Sequence, residues 1–396
     1  MRTELCDLFG IDVPIFAFSH CRDVVAAVTN AGGMGVLGAL AFSPEQLDKE
    51  LKWIDAHVGG KPYGVDIVMP AGYEGKDRGL GKQEEDTGKV DPEVFENLIP
   101  EEVKAWIETL LEEYDIPPLP ADFEAASGIG GHDSQGLLGW TEGGARGQLD
   151  VALEYPVKLL VNALGPPPKD IIDHAHSLGI KVAALTGAVK HALRQKEQGV
   201  DIVIAQGTEA GGHTGEIGSM VLIPDIVDAV APNPVLGAGG IAGGRQAAAA
   251  LALGAQGVWT GSCWLTVKES EMTANVMDKL LAAGAEDAVR SKTLSGKPAR
   301  LLRTAWTEAW LRSDCPGTLP MPLQYMACSE AQQRIGLSAR AGNPKALELL
   351  GSPVGQVVSR LNQVKSSAQV VSDFIDEFVE AVERLDGLVA ASERHG

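Results

Sequence analysis

The chain has 396 residues, 45% of them apolar, and a formal net charge of −20 at pH 7. This length and apolar content predict a large folded core, in one elaborated domain or two ordinary ones. The acidic balance argues against a protein that binds nucleic-acid phosphates through a basic surface, and no apolar run approaches the ~20 residues that span a bilayer.

The cysteines indicate the redox environment. Cys6, Cys21, Cys263, Cys315 and Cys328 are odd in number and show no CxxC pair or other metal-ligand spacing. Such usage is typical of reduced thiols rather than of disulfides or a metal site. The first residues, MRTELCDLFGID, contain acidic side chains and no long apolar run, so they do not resemble a secretory signal. We therefore expect a cytoplasmic protein without a metal.

Eight short apolar segments follow one another along the chain and are predicted to be buried strands. They comprise residues 14–19, 33–39, 63–69, 157–164, 181–186, 201–206, 234–240 and 257–262. Before the third strand, Ser43, Pro44 and Glu45 form a helix-start signal. Further helical segments, at residues 168–179, 187–199 and 243–254, each end in a glycine that is typical of a helix C-cap.

This alternation of strands and helices predicts an α/β fold. Eight such units favour a closed (β/α)8 TIM barrel over an open doubly wound sheet. The doubly wound fold is the alternative, but no GxGxxG follows the first strand, which weakens a dinucleotide-binding interpretation.

The regular alternation breaks after the third strand, where roughly eighty residues precede the fourth, far more than a barrel loop and helix need. This segment contains an acidic helix within residues 92–114, a proline-rich bend and a glycine-rich loop at residues 127–140. We expect residues 1–70 and 145–270 to form the two parts of the barrel, with 71–144 as an insertion or lid subdomain.

Residues 271–396 are expected to form a helical C-terminal region that completes and flanks the barrel. The last segment of this region carries one apolar stripe at helical spacing. The stripe suits packing on the barrel, or on a second copy in a homodimer, rather than membrane binding; it consists of Val371, Ile375, Phe378, Val382, Leu385 and Val389.

Two glycine-containing turns indicate a phosphate site. The seventh strand continues into GAGGIAGGRQ (residues 237–246), which opens a helix, and the eighth ends in TGS (residues 260–262). In (β/α)8 enzymes the loops after strands 7 and 8 often hold a phosphate group. Backbone N–H groups at glycine turns and at helix N-termini favour such an anion. The pair therefore predicts a cofactor or substrate that carries phosphate.

The sixth strand delivers the stretch AQGTEAGGHTG (residues 205–215) to the same end of the barrel. Gln206 would hydrogen-bond the edge of a flat polar ring, and Gly211 and Gly212 would let a planar ligand approach the backbone. His213 is the candidate acid, base or hydrogen-bond donor near neutral pH. A lone histidine is more often a loop residue that caps a helix or binds water, but its place beside a phosphate site favours a catalytic role.

These motifs resemble those of the nitronate monooxygenases, formerly called 2-nitropropane dioxygenases, which are related to flavin-dependent enoyl reductases. The resemblance rests first on AQGTEAGGHTG, and then on GAGGIAGGRQ with TGS and on NAGGMGVLGA (residues 30–39). Three shorter motifs add to it: PYGVDIV (62–68), LGPPP (164–168) and SGKPARLLR (295–303). The likeness covers nearly the whole chain except the insertion.

The resemblance implies FMN, bound without a covalent link at the mouth of the barrel. Ala17 and Phe18 would line the isoalloxazine with Gln206, and the family's functional histidine falls on His213. The phosphate would lie against Gly239, Gly240, Gly261 and Ser262.

Two departures from the family pattern bear on this assignment. Relatives often read GVN at the third strand, whereas this chain reads GVD and places Asp66 near the flavin. A carboxylate there would disfavour the anionic reduced flavin. The long insertion is the second departure, and it indicates a bulkier or different substrate, with His132 and Asp133 as candidate substrate-contacting residues.

The resemblance therefore implies an oxidoreductase that converts alkyl nitronates and O2 to a carbonyl compound and nitrite. The alternative is an NAD(P)H-dependent flavin reductase of an enone or an enoyl or acyl thioester, with His213 positioning the carbonyl. A third possibility is a barrel without redox chemistry that binds a phosphate ester. In each case the partner is a small molecule rather than nucleic acid or membrane.

Overall fold

Eight parallel strands close into a barrel in the computed structural model, which describes residues 1–69, 97–120 and 142–393. The strands are β1 (Ile15–Ser19), β2 (Met34–Gly38), β3 (Gly64–Asp66), β4 (Leu159–Asn162), β5 (Lys181–Thr186), β6 (Ile202–Gln206), β8 (Val235–Ala238) and β9 (Gly257–Thr260). They follow one another around the barrel in chain order, and β9 pairs with β1 to complete the ring. The predicted TIM barrel is confirmed.

Helices surround this ring, and their ends follow the signals in the sequence. They are α2 (Arg22–Asn30), α3 (Pro44–His57), α5 (Glu142–Leu153), α6 (Lys169–Ser177), α7 (Val189–Gln198), α8 (Ser219–Val230) and α9 (Gly244–Ala252). Ser43 caps α3 in a capping box with Gln46. Gly179, Gly199 and Gly254 have φ of 73°, 95° and 98°, the left-handed conformation in which glycine commonly ends a helix.

The barrel interior and the layer outside it hold separate sets of apolar side chains. Phe16, Val36 and Val161 belong to the inner cluster, whereas Val65 and Ala205 pack outward against helices. A short first helix, α1 (Glu4–Phe9), adds its buried side chains to the inner cluster. Phe9 packs edge-on against Phe16, with ring centroids 5.7 Å apart. This packing closes the amino end of the barrel, so the carboxyl ends of the strands form its mouth.

A second apolar core joins the insertion to the C-terminal region. The helix α4 (Glu101–Glu113) buries Ile107 and its apolar neighbours against three later helices, α11 (Ala305–Ala309), α12 (Leu323–Arg340) and α13 (Pro344–Leu349). Arg334 is buried there and donates from Nη1 to both oxygens of Glu108, at 2.7 and 2.9 Å. Arg312 makes a similar two-point contact with Glu113 at 2.7 and 3.0 Å. The insertion helix therefore packs with the C-terminal helices.

Three short strands form an antiparallel sheet beside the barrel, and the sequence does not predict them. The hairpin β10 (Ala288–Ser291) and β11 (Ala299–Leu302) interrupts the otherwise helical C-terminal region. On its other side β11 pairs with β7, the two residues Gly212–His213. Strands this short carry little pattern of their own, because their conformation is fixed by pairing with distant residues.

The last helices complete the fold. The helix α10 (Ala274–Ala282) precedes the hairpin, and the long α14 (Ser367–Glu393) ends the described chain. The first half of the predicted stripe packs on the barrel helices, with Val371 buried and Phe378 partly buried. Beyond it, Val382, Leu385 and Val389 are exposed, so only half of the stripe packs as predicted in the single chain. None of the described helices is long and apolar enough to cross a bilayer, and all five cysteines are free.

Candidate active site

The strand register brings the predicted site residues to one rim of the barrel. Gly38 on β2 lies opposite Asp66 at the end of β3, and Gln206 at the end of β6 lies opposite Ala238. Thr260 at the end of β9 lies opposite Ala17 on β1, which places Phe18 beside the turn after β9. Segments far apart in the chain therefore meet at the mouth, where active sites of (β/α)8 enzymes lie.

Alternation along the strands decides which of these side chains face the mouth. Val65 and Ala205 pack in the outer layer, so Asp66 and Gln206, one residue further along, point to the barrel interior. Phe18 packs with the inner cluster. The methyl group of Ala17 is buried in the outer layer, so this residue offers only its backbone to a ligand at the mouth.

Asp66 is a buried acidic side chain at this rim. Its side chain is only 3% exposed, and one carboxyl oxygen is hydrogen-bonded by the Ala163 backbone N–H. Within the described parts of the chain, the other oxygen, Oδ1, has no hydrogen-bond partner. Burial raises the pKa of Asp66 to about 7, because the charged form is poorly solvated there. Near neutral pH the protonated acid, which can donate a hydrogen bond, and the carboxylate, which can only accept, are therefore both populated.

The turn after β8 has the backbone expected of an anion cradle. Gly239 and Gly240 have φ of 86° and 72°, so the turn passes through two successive left-handed residues. Turns of this kind can present backbone N–H groups to an anion. Residues with side chains rarely adopt this conformation, which explains the glycines.

The two following glycines have a different role. A Cβ at Gly244 would lie well under 3.0 Å from backbone atoms of Phe374 and Phe378 in α14. Gly243 is similarly close to the carboxylate of Glu377. The start of α9 is therefore packed against α14, which leaves Gly239, Gly240 and the turn after β9 as the candidate phosphate cradle.

That second turn is shaped by a segment that the sequence interpretation missed. Ser262 begins a single 3-10 turn, Ser262–Trp264, and its Oγ accepts a hydrogen bond from Gly355 N at 2.9 Å. Gly355 also packs against Gly211, where a Cβ would come within 2.8 Å of Gly355 N. Gly211 is thus required for packing against the C-terminal region. By contrast, no atom of the described residues lies nearer than 3.9 Å to the position that a Cβ would take at Gly212 or Gly261.

His213 is held in place by the antiparallel sheet. It lies opposite Ala299 on β11, and its Nε2 is 2.5 Å from Oγ of Ser295, which is fully buried in the hairpin loop. Arg300, buried on β11, donates to the carbonyl oxygens of Thr208 at 2.9 Å and Ala288 at 2.6 Å. The motif SGKPARLLR therefore fixes both the loop after β6 and the histidine at its end.

The electrostatic surroundings keep His213 neutral. Burial and the nearby Lys297 cation lower its pKa to about 4, because both disfavour the imidazolium. A neutral ring that accepts from Ser295 at Nε2 carries its own proton on Nδ1. Desolvation also lowers the pKa of Lys297, and no carboxylate of the described chain comes within 4.0 Å of its amine. This side of the mouth therefore favours an anionic group.

His20 is a further rim residue that the sequence interpretation missed. It follows β1 directly, and its Nδ1 lies 2.9 Å from the Gly38 carbonyl oxygen. Its ring packs edge-on against Phe18 at 5.0 Å, and Phe18 in turn packs on Trp259 at 5.8 Å. Burial lowers the pKa of His20. The available signal was position alone, since a polar residue directly after a barrel strand lies at the functional end.

The remaining predicted site residues, His132 and Asp133, lie outside the described residues. Cys263 is buried in the barrel wall and burial raises the pKa of its thiol to about 12, which fits a packed residue rather than a redox thiol. In the described ranges, Cys21, Asp23 and Glu271 bring ligand atoms within 4.8 Å of one another. Burial raises the pKa of Cys21 to about 11, which disfavours the thiolate that a metal requires.

The fold and this rim define a (β/α)8-barrel enzyme with its polar groups gathered at the carboxyl ends of the strands. Residues 122–377 match the family model described as "Nitronate monooxygenase". The chain belongs to the nitronate monooxygenase family, and it is an enzyme of the flavin-dependent oxidoreductase type.

Individual relatives agree with this assignment. The protein named "Putative monooxygenase Rv1533" from Mycobacterium tuberculosis is 51% identical over 389 residues, which cover 98% of this chain and 100% of that one. A protein named "Probable nitronate monooxygenase" from Staphylococcus haemolyticus is 28% identical, over 78% of this chain and 80% of that one.

Solved structures share the fold. FabK from Thermotoga maritima is 25% identical with a TM-score of 0.68, and the match covers 98% of this chain and 99% of that one. Nitroalkane oxidase from Streptomyces ansochromogenes has a TM-score of 0.73 at 24% identity, over 96% of this chain and 99% of that one. The latter likeness supports the fold alone. Family membership sets aside the third possibility, a barrel without redox chemistry.

Proposed function

We propose that this chain is an FMN-dependent enzyme that oxidises alkyl nitronates with O2 to a carbonyl compound and nitrite. The observation that best supports this proposal is the pair His213 and Lys297 beside the mouth. A cation without a carboxylate partner in the described chain, next to a neutral histidine, suits an anionic substrate. A nitronate is such an anion, whereas an enone or a neutral nitroalkane is not.

The rim offers a fitting set of groups for FMN. Gly239 and Gly240, with Gly261 and Ser262, would hold the phosphate through backbone N–H groups. Phe18 and Gln206 would lie along the flat ring, together with Asp66, whose Oδ1 has no partner in the described chain. When bound, FMN supplies the electron acceptor for the substrate and, once reduced, the group that reacts with O2.

The residues of this chain would do three things in that reaction. Lys297 attracts the nitronate and holds it near the mouth. In the tautomer that accepts from Ser295 at Nε2, His213 would donate from Nδ1 to an oxygen of the anion, and Ser295 would fix the ring in that orientation. With a pKa of about 4, His213 is a weak base, so we expect the preformed nitronate to be preferred over the neutral nitroalkane.

The second candidate is NAD(P)H-dependent reduction of an enone or an enoyl or acyl thioester. It is favoured by the match to FabK, at 25% identity over 98% of this chain. In that reaction His213 would hydrogen-bond the substrate carbonyl, and Lys297 would contact a phosphate of the pyridine nucleotide or of the thioester carrier.

Steady-state assays separate the two candidates. Purified enzyme is supplied in air with propyl-2-nitronate, with 2-nitropropane, or with NADPH and an enoyl thioester, while O2 uptake and nitrite are followed. We expect nitrite and O2 uptake with the nitronate at a higher kcat/KM than with the neutral nitroalkane. NADPH oxidation that depends on the thioester, with no nitrite from either nitro compound, would overturn the first candidate in favour of the second.

A further inference from the structure

The Asp66 carboxyl group is buried at the barrel mouth with one oxygen unused. The side chain is only 3% exposed, and its oxygen Oδ1 has no hydrogen-bond partner among the described residues. The backbone N–H of Ala163 serves the other oxygen. A buried polar atom without a partner is costly, so such an atom at a site commonly marks the place of a ligand group.

The surroundings of Asp66 do not stabilise a negative charge. On the side of β2, the rim residue is Gly38, and the titratable group packed over it is His20, which burial keeps neutral. On the side of β4, the amide of Asn162 is hydrogen-bonded to the backbone of Met69. Its Nδ2 donates to the Met69 carbonyl oxygen at 3.1 Å, and its Oδ1 accepts from the Met69 N–H at 3.0 Å. No Lys or Arg in the described chain forms an ion pair with Asp66. An ionised Asp66 would therefore be a buried charge with a single hydrogen bond.

The alternation along β3 turns the Asp66 side chain toward the barrel interior, at the rim where the cofactor is proposed to bind. Asp66 points into the barrel from the last residue of β3, on the rim that also carries Phe18 and Gln206. These are the groups that would border the ring of FMN under the function proposed above, on which this inference rests.

We propose that Asp66 binds FMN in its protonated form and donates a hydrogen bond from Oδ1 to an acceptor atom on the polar edge of the flavin ring. In this role the acid acts as an uncharged donor, as the amide of asparagine would. The sequence predicts a carboxylate at Asp66, whose negative charge would disfavour the anionic reduced flavin. A neutral Asp66 carries no such charge, so it would not destabilise that form of the flavin.

This arrangement couples FMN binding to a proton. Without the cofactor, the pKa of Asp66 is about 7, and donation to the flavin raises it further. Above pH 7 the protein must then take up a proton when FMN binds, so the Kd for FMN rises with pH. By linkage, the Kd should increase about ten- to thirtyfold between pH 6.5 and 8.5. An ionised Asp66 that accepted a hydrogen bond from the ring would give the opposite trend.

The test is the pH dependence of FMN binding in the holoenzyme and two variants. The Kd is obtained by diluting holoenzyme and separating free FMN by ultrafiltration at pH 6.5, 7.5 and 8.5. Asp66→Asn keeps a donor and removes the titration, so its Kd should stay near the wild-type value at pH 6.5 and remain flat. Asp66→Ala should weaken binding at every pH and also remain flat. Asp201→Asn removes a carboxylate that lies next to Lys181, at the opposite end of the barrel, and should keep the wild-type slope.

The outcomes separate this inference from the proposed function. A wild-type Kd that is flat or falls with pH would overturn the protonated donor, and so would an Asp66→Asn variant with the wild-type slope. Neither result bears on whether nitronates are oxidised. Conversely, a rising Kd that is abolished in Asp66→Asn would support the donor even if the enzyme failed to produce nitrite.

Discussion

Replacing Gly244 with alanine is expected to loosen the contact between α9 and α14 and, through it, the proposed phosphate cradle. A Cβ at this position would fall well inside 3.0 Å of the Phe374 carbonyl oxygen and the Phe378 amide nitrogen. Both obstructing atoms are backbone, so no side chain can rotate away. The helices must separate, or the first turn of α9 must shift.

The size of the effect follows from that overlap. Ordinary contact begins at 3.4 Å, so the two backbones must move apart by roughly 1 Å in a close-packed layer. Overpacking of this kind costs about 1–3 kcal/mol. Because backbone atoms cannot rotate away, we expect a cost near the upper end of this range. Alanine regains up to about 1 kcal/mol of helix propensity. The net expectation is a loss of about 2 kcal/mol in the free energy of unfolding.

Thermal and denaturant unfolding measure this loss, and Gly336→Ala is the matched control. Gly336 lies inside α12, where a Cβ would meet, among the described residues, only the Arg340 guanidinium at 3.9 Å, so alanine should stabilise the protein slightly. Because α9 begins shortly after Gly240, only Gly244→Ala should also raise the Kd for FMN. A Gly244→Ala protein as stable as Gly336→Ala, with unchanged FMN affinity, would refute this reasoning.

Further predictions concern His213 and its neighbours. His213→Ala should lower kcat for the nitronate about 100-fold or more while FMN stays bound, and loss of flavin from the purified variant would contradict the assigned role. Ser295→Ala removes the 2.5 Å contact to Nε2 and should lower kcat/KM about 2- to 12-fold, as measured by nitrite release; an unchanged kcat/KM would count against positioning by Ser295. Lys297→Met should raise KM for the anionic nitronate, whereas Lys292→Met on the same hairpin should not, and equal effects would exclude a specific contact. Since the pKa of His213 is lowered in the folded protein, the neutral ring contributes stability at pH 7 that is lost as pH falls from 6.5 toward 4. His213→Gln should lose less stability than wild type over that range in urea unfolding, and identical curves would rule out a lowered pKa.

The sequence predicted the barrel because each strand carries its own signal. An apolar run such as residues 202–205 is buried on both faces, and a glycine such as Gly199 ends the preceding helix in the left-handed conformation. These are local properties, readable within a short window. The rim positions of Gln206 and Asp66 follow from them, since a residue that ends a barrel strand lies at the mouth.

The parts that the sequence did not predict depend on contacts between distant segments. Ser295 reaches His213 across 82 positions, and Gly355 reaches Ser262 across 93. The strand β7 exists only through its pairing with β11. No periodicity marks such contacts beforehand. The raised pKa of Asp66 is likewise caused by burial, which a sequence pattern alone does not reveal.

The exposed end of α14 is another feature that the sequence pattern did not predict. The stripe from Val371 to Val389 has one helical spacing throughout, yet the barrel covers only its first half. Hydrophobic spacing predicts that a face is apolar, but what covers the face depends on where the neighbouring elements end.

Anaerobic mixing of the flavin-loaded enzyme with propyl-2-nitronate tests the central proposal most directly. We expect rapid bleaching of the flavin absorbance by the nitronate, much slower bleaching in His213→Ala, and none with NADH or NADPH at matched concentration. Rapid bleaching by a pyridine nucleotide, with no reaction toward the nitronate, would contradict the proposal that the mouth beside His213 and Lys297 is built for a nitronate anion.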